Sequence, residues 1–180
     1  MDRKVVLITN GMARAGKDTF ATYLNCIVPV YKYSSIDKIK TIAKQCGWNG
    51  GKEEKDRKFL SDLKVLTSEY CDLAFKDISE RVDWFRNADD RYKVMIIDIR
   101  EPEEIERAKQ AFGAKTILIE NNRVKQITSN MADAGVFNYT YDYTIENNGT
   151  LHEFMDNIDK FAVEVLGAKS LFGYTFGGLN

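Results

Sequence analysis

The sequence predicts an α/β protein, a three-layer fold with a parallel sheet of about five strands flanked by helices. Runs such as Lys4 to Thr9 (KVVLIT) and Tyr92 to Ile97 (YKVMII) are apolar without alternation, as strands buried on both faces must be. Between such runs lie stretches whose apolar residues recur at helical spacing, and glycine or asparagine turns punctuate both.

In order, KVVLIT enters a glycine-rich turn, and a helix is expected from about Gly16 to Asn25. Val30 to Ser34 (VYKYS) is a second strand, and Ser35 is placed to cap a helix carrying Ile36, Ile39 and Ala43. Gly47 to Gly51 (GWNGG) stops it. From Asp56 to Ala74 the residues Phe59, Leu63, Leu66, Tyr70 and Leu73 form the expected apolar stripe of a long amphipathic helix, and Ile78 to Asn87 continues as another. After the YKVMII strand, Glu101-Pro102-Glu103-Glu104 opens a helix with proline in the first turn and acids at its positive end, and Gly113 closes it. Ala114 to Glu120 and Tyr141 to Glu146 are the remaining strands. Thr150 and Glu153 form a capping box for a final helix with Leu151, Met155, Ile158, Ala162 and Val165 on its stripe. Alternating Tyr139, Tyr141 and Tyr143, with Trp48 and Trp84, suit core and sheet packing better than base stacking.

At 180 residues, with 44% hydrophobic and 29% charged, the chain suits one domain, residues 1–166, followed by a tail, 167–180. The aromatics of that tail suit packing on the domain or on a second copy, which leaves a homodimer open. Segment 121–138 has weak periodicity and reads as a lid or a surface loop. A net charge of -1 argues against nucleic-acid polymers and anionic membranes as partners and leaves room for a small phosphorylated ligand. Cys26, Cys46 and Cys71 are widely spaced and His152 is the lone histidine, so neither a zinc site nor a disulfide framework is expected. No apolar run is long enough for a signal peptide or a membrane span, and a cytoplasmic protein is expected.

The chemistry concentrates in GMARAGKDTF, residues 11–20, which matches the loop G-x-x-x-x-G-K-[S/T] except that Asp18 stands at the hydroxyl position. A buried strand ahead and a helix behind make this a P-loop NTPase fold. Backbone N–H groups from Ala13 through Arg14, Ala15, Gly16, Lys17 and Asp18 to Thr19 suit phosphate oxygens, Gly11 and Gly16 permit close wrapping, and Lys17 adds a full charge. Beside a bare polyphosphate the Asp18 carboxylate is repelled; with Mg²⁺ between them the sign reverses, so Asp18 is expected on the metal side and Thr19 at an inner phosphate. The rival role for Asp18 is that of an acid at a helix start.

The run Arg14-Ala-Gly-Lys-Asp-Thr19 resembles the R-S-G-K-D-T loop of phage and bacterial deoxynucleoside monophosphate kinases. Lys32 to Lys40 (KYSSIDKIK) resembles their K-Y-x-x-A-x-P-[IL]-K segment, Ile97 to Ile105 (IDIREPEEI) their D-x-R-x-x-x-E-[IM] stretch, and Tyr141 to Leu151 (YDYTIENNGTL) their closing I-x-N-D-G-[ST]-L. Asp56 to Leu63 (DRKFLSDL) matches the family's R-x-L-[LM]-Q-x-[LM]-G helix only in part, and the stretch after Glu120 lacks the usual arginine-and-proline turn.

The resemblance implies an ATP- and Mg²⁺-dependent kinase that phosphorylates a small nucleotide, a (deoxy)nucleoside monophosphate. It implies that Lys17, Asp98 and Arg100 are catalytic, that Asp18 and Asp98 serve the metal, and that Ser35, Lys40, Arg57 and Arg100 lie on the acceptor side. Arg123 would be a lid arginine, and Asn148 and Gly149 would approach the adenine. Asp98 also ends a strand at the carboxyl edge where open α/β sheets bind ligands, and Arg100 shares its side if the strand continues. Plainer roles stay open: a turn acid for Asp98, solvated surface cations for Arg100, Lys40, Arg57 and Arg123, and a turn before a capped helix for Asn148 and Gly149. Kinases of phosphomevalonate or dephospho-coenzyme A use related loops, and a nucleotide-binding protein without transfer activity is the rival of another class.

Overall fold

The computed structural model describes residues 4–87, 91–124 and 135–171. The segment read as a lid therefore falls partly, and the tail mostly, outside the described residues. Five strands, β1 (Val5–Asn10), β2 (Val30–Ser34), β3 (Val94–Asp98), β4 (Lys115–Glu120) and β5 (Tyr143–Glu146), form one sheet in the order β2-β3-β1-β4-β5. The β1–β3, β1–β4 and β4–β5 ladders are parallel, with Leu7 beside Ile96 and Ile8 beside Thr116. Six α-helices and a 3₁₀ helix (Val136–Asn138) accompany them among the described residues: α1 (Lys17–Ile27), α2 (Asp37–Gln45), α3 (Glu54–Cys71), α4 (Leu73–Asn87), α5 (Pro102–Phe112) and α6 (Leu151–Leu166). The sequence-predicted three-layer α/β class is the one observed.

The chain divides into two compact units, residues 1–32 with 88–180, and residues 33–87. In the first, β1 is central and its residues Leu7 and Ile8 are fully buried. One face of the sheet carries α1 and α6, whose Phe20, Leu24, Phe154, Ile158 and Ala162 pack with Leu7, Val94, Ile96, Ile117 and Ile119. Helix α5 covers the other with Ile105 and Ala108, its proline sits in the first turn, and Gly113 ends it at φ 57°. Truncating one of these large buried residues to alanine costs about 2 to 5 kcal/mol. The capping box of α6 forms as expected: Thr150 Oγ1 accepts from the Glu153 amide at 3.2 Å, and Glu153 Oε2 accepts from the Thr150 amide at 2.6 Å. Its apolar stripe is rotated from the expected one, because Leu151 is exposed while Phe154, Phe161 and Leu166 are buried. Buried Asp159 accepts from Ser170 Oγ at 2.5 Å and from the Leu171 amide at 2.9 Å, and so ties the start of the tail to α6.

The second unit is the helical trio α2, α3 and α4. Ser35 does not cap α2; Ile36 stands at that position, and Asp37 Oδ2 takes the Ser34 amide at 3.0 Å instead. The stripe expected on α3 is not a core face. No α3 residue is buried, and Leu66 and Tyr70 are 63% and 88% exposed. At the end of β2, the Tyr33 hydroxyl donates to Asp77, and the Arg81 guanidinium lies 5.4 Å above the Tyr33 ring. Among the described residues no helix is long and apolar enough to cross a membrane.

Candidate functional site

The loop between β1 and α1 sits at the carboxyl edge of the central strand, where the chain passes from β3 on one side of β1 to β4 on the other. Sterics dictate its glycines. Gly11 has φ 149°, and a Cβ there would lie 2.5 Å from the Ile119 carbonyl oxygen. Gly16 caps α1 in the left-handed region at φ 113°, where a Cβ would lie 2.6 Å from Asn147 Nδ2 and 3.2 Å from Phe154 Cε1. Arg14 also has positive φ, 67°, and is exposed. The first turn of α1 presents amide hydrogens that no helical carbonyl takes up, together with the positive end of the helix dipole.

Within the loop, Ala15 N–H donates to the Met12 carbonyl at 3.1 Å, so this amide, expected to face phosphate, serves the turn instead. Lys17 Nζ donates to the carbonyls of Gly11 at 2.5 Å and Met12 at 3.0 Å. The lysine thus lies across its own loop, and reaching a phosphate means exchanging two carbonyl oxygens for anionic ones.

Asp18 and Asp98 come together. The Lys32 ammonium, on β2, is hydrogen-bonded to Asp18 Oδ1 and lies 3.2 Å from Asp98 Oδ2. Asp98 Oδ1 accepts from Thr9 Oγ1 at 2.5 Å, which fixes that carboxylate beside β1. Burial of Lys32 opposes its charge, but the hydrogen bond to Asp18 and the charge and hydrogen bond of Asp98 outweigh it, so its pKa is raised above the ordinary lysine value. The sequence reading missed Lys32, because its partners depend on β2 lying beside β3.

Arg100 lies two residues beyond the last residue of β3. Strand β3 ends at Asp98, so the two-residue alternation that would put Arg100 on the same side stops short of it. Its carbonyl accepts from Asn10 Nδ2 at 3.1 Å. Asn10 is buried at the end of β1; its Nδ2 also donates to the Tyr141 hydroxyl at 2.8 Å, and its Oδ1 accepts from the Gly11 amide at 2.8 Å. Tyr141 Oη in turn donates to the Val136 carbonyl, and burial pushes the phenol up to about 12.

The loop after β5 closes on the same region. Asn147, which the sequence reading passed over, donates from Nδ2 to the Ala15 carbonyl at 2.8 Å and from its amide to the Glu120 carbonyl at 2.7 Å. Arg123 Nη2 donates to the Asn147 carbonyl at 3.0 Å, and Asn148 Oδ1 accepts from the Asn122 amide at 2.8 Å. Arg123, Asn147 and Asn148 are therefore one cluster. Gly149 is explained locally, since a Cβ there would lie 2.1 Å from the capping carboxylate of Glu153.

The residues expected on the acceptor side, Arg100 apart, lie in the second unit. Ser35 is buried, Lys40 pairs with Asp37 at 3.2 Å, and Arg57 Nε donates to the Lys52 carbonyl at 3.2 Å.

No protein-family model matches the chain, and no curated protein matches its sequence. Solved structures do. A provisionally named kinase of Chloroflexus aurantiacus aligns over 97% of this chain and 100% of its own, with 12% identity and a TM-score of 0.53. The protein TT1252 of Thermus thermophilus aligns over 91% of this chain and 99% of its own, with 13% identity and a TM-score of 0.52. At 12% and 13% identity these likenesses show the fold alone, a parallel five-stranded sheet flanked by helices. A shikimate kinase of Aquifex aeolicus aligns over 91% of this chain and 97% of its own, with 15% identity and a TM-score of 0.48, a level that adds nothing to the reading.

At this sheet edge the residues present suit a divalent ion. Two carboxylates already share one cation, the Lys32 ammonium. Among the described residues no group of three or more His, Cys, Asp or Glu side chains is placed to hold a metal. Mg²⁺ is commonly held by one or two carboxylates together with substrate phosphates and water.

Proposed function

We propose that this chain is an ATP-dependent kinase of the nucleoside monophosphate kinase type, moving the γ-phosphoryl of ATP to a (deoxy)nucleoside monophosphate to give the diphosphate. The observation that best supports this reading is the pairing of a sterically enforced phosphate loop with two convergent carboxylates, Asp18 and Asp98, at the same sheet edge.

In this mechanism the loop amides and the first turn of α1 bind the polyphosphate, and Lys17 exchanges the Gly11 and Met12 carbonyls for phosphate oxygens. Lys17 and Arg100 stabilise the charge of the transferred group, with no covalent intermediate. Asp18 and Asp98 would hold Mg²⁺, whose contribution when bound is to neutralise charge between adjacent phosphates. Arg123, with Asn148 and Gly149, would line the nucleotide side. Ser35, Lys40 and Arg57 are assigned to the acceptor on the resemblance described above.

The test is ADP formation with a panel of acceptors: nucleoside and deoxynucleoside monophosphates, phosphomevalonate and dephospho-coenzyme A. Stimulation by a nucleotide supports the proposal. Stimulation only by a non-nucleotide acceptor replaces the substrate, and ATP binding without any stimulation replaces catalysis by binding alone.

A further inference from the structure

Lys32 stands third in β2, and its ammonium is shared between Asp18 at the start of α1 and Asp98 at the end of β3. Asp98 is anchored from its other side by Thr9, whereas the Asp18 side chain is 95% exposed and is drawn to Asp98 through their shared lysine. Two carboxylates a few ångströms apart repel each other, and a cation between them removes that cost. A lysine so placed competes with any second cation. A divalent ion arriving alone must expel the ammonium or sit beside it against like charge, whereas one arriving with a triphosphate brings enough negative charge to offset both penalties.

We propose that Lys32 is a tethered cation that fills the metal position between Asp18 and Asp98 in the nucleotide-free chain. Free divalent ions are thereby excluded, and the metal enters only as part of the nucleotide complex. This rests on the assignment of Asp18 and Asp98 to the metal under the proposed function. Lys32 is here a positioning residue for the site, and its role is read from metal binding rather than turnover.

The experiment titrates the full-length, nucleotide-free chain with Mn²⁺ alone and follows the free-ion signal by electron paramagnetic resonance. Lys32→Gln is expected to bind Mn²⁺ about tenfold or more tightly than the unsubstituted chain. Lys32→Arg, which keeps the charge, is expected to stay within about twofold of it. Adding Asp18→Asn to Lys32→Gln should abolish the gain. A folded Lys32→Gln chain that binds Mn²⁺ no better than the original overturns the proposal, and so does a gain that survives loss of Asp18. Asp18→Asn alone gives a readout independent of any Lys32 variant. It should leave nucleotide-free Mn²⁺ binding unchanged, and a marked fall would show that the ion already reaches that carboxylate. Because no nucleotide is present, these results stand apart from the acceptor panel: a chain that phosphorylates nothing can still show the gain.

Discussion

Asn147 Nδ2 donates to the Ala15 carbonyl at 2.8 Å, a bond between residues 132 positions apart that ties the loop after β5 to the loop between β1 and α1. The same nitrogen is the atom a side chain at Gly16 would strike. Asn147 therefore orders the loop from outside. Asn147→Ala should lower stability by about 1 kcal/mol, as for a lost partly buried hydrogen bond. It should also weaken ATP binding several-fold, because the carbonyl at Ala15 then drifts. Denaturant unfolding and calorimetry measure the two separately.

Gly11 and Gly113 have positive φ for different reasons, and alanine tells them apart. At Gly11 the new methyl meets backbone, the Ile119 carbonyl at 2.5 Å, which cannot move without breaking the sheet edge. At Gly113 nothing lies within 4 Å, and only the left-handed conformation at φ 57° is penalised. Gly11→Ala should cost about 2 to 4 kcal/mol and Gly113→Ala about 1 kcal/mol, compared by urea melts. Equal costs would mean that the loop is not packed against β4.

The α3 stripe carries a contrary expectation. Leu66, at 63% exposure, reads in sequence as a core residue, yet Leu66→Ala should change stability by less than about 0.5 kcal/mol. Ile158→Ala, at a fully buried position on α6, should cost about 2 to 5 kcal/mol, both variants being compared by urea melts.

Features written in neighbouring residues were legible in the sequence, and those needing strand order were not. The Thr150/Glu153 box, Pro102 at a helix start, Gly113 at a helix end and the loop between Gly11 and Lys17 are all set within a few residues. Spacing gave the helical period of α3, but not what would cover its apolar residues. Lys32 meets Asp18 and Asp98 only because β2 lies beside β3 and β3 beside β1, an order that periodicity does not encode. Asn147 reaches Ala15 by the same kind of long-range closure, and Tyr141, expected as packing, is a hydrogen-bonding partner of Asn10. Ser35 is not the cap because α2 begins at Asp37, which puts Ile36 at the cap position.

Asp142 supplies a pH dependence. Burial pushes its carboxyl up, but hydrogen bonds from Lys109 and from the amide and hydroxyl of Thr116, with the charge of Lys109, outweigh that and hold its pKa below the ordinary aspartate value. A depressed folded-state pKa means that the carboxylate's contribution is fully present above the unfolded pKa, near 4, and is lost as pH falls through the folded value. The stability gap between the unsubstituted chain and Asp142→Asn should therefore be constant from about pH 7 to 5 and shrink below about pH 4. Urea melts at each pH measure it.

Calorimetric titration of ATP with Mg²⁺ into the unsubstituted chain and into Lys17→Ala tests the phosphate-loop assignment most directly. The unsubstituted chain should bind ATP, adenosine should bind far more weakly, and Lys17→Ala should lose about tenfold or more in ATP affinity while remaining folded. ATP affinity unchanged by Lys17→Ala, or equal affinity for adenosine and ATP, would contradict a loop built to hold polyphosphate.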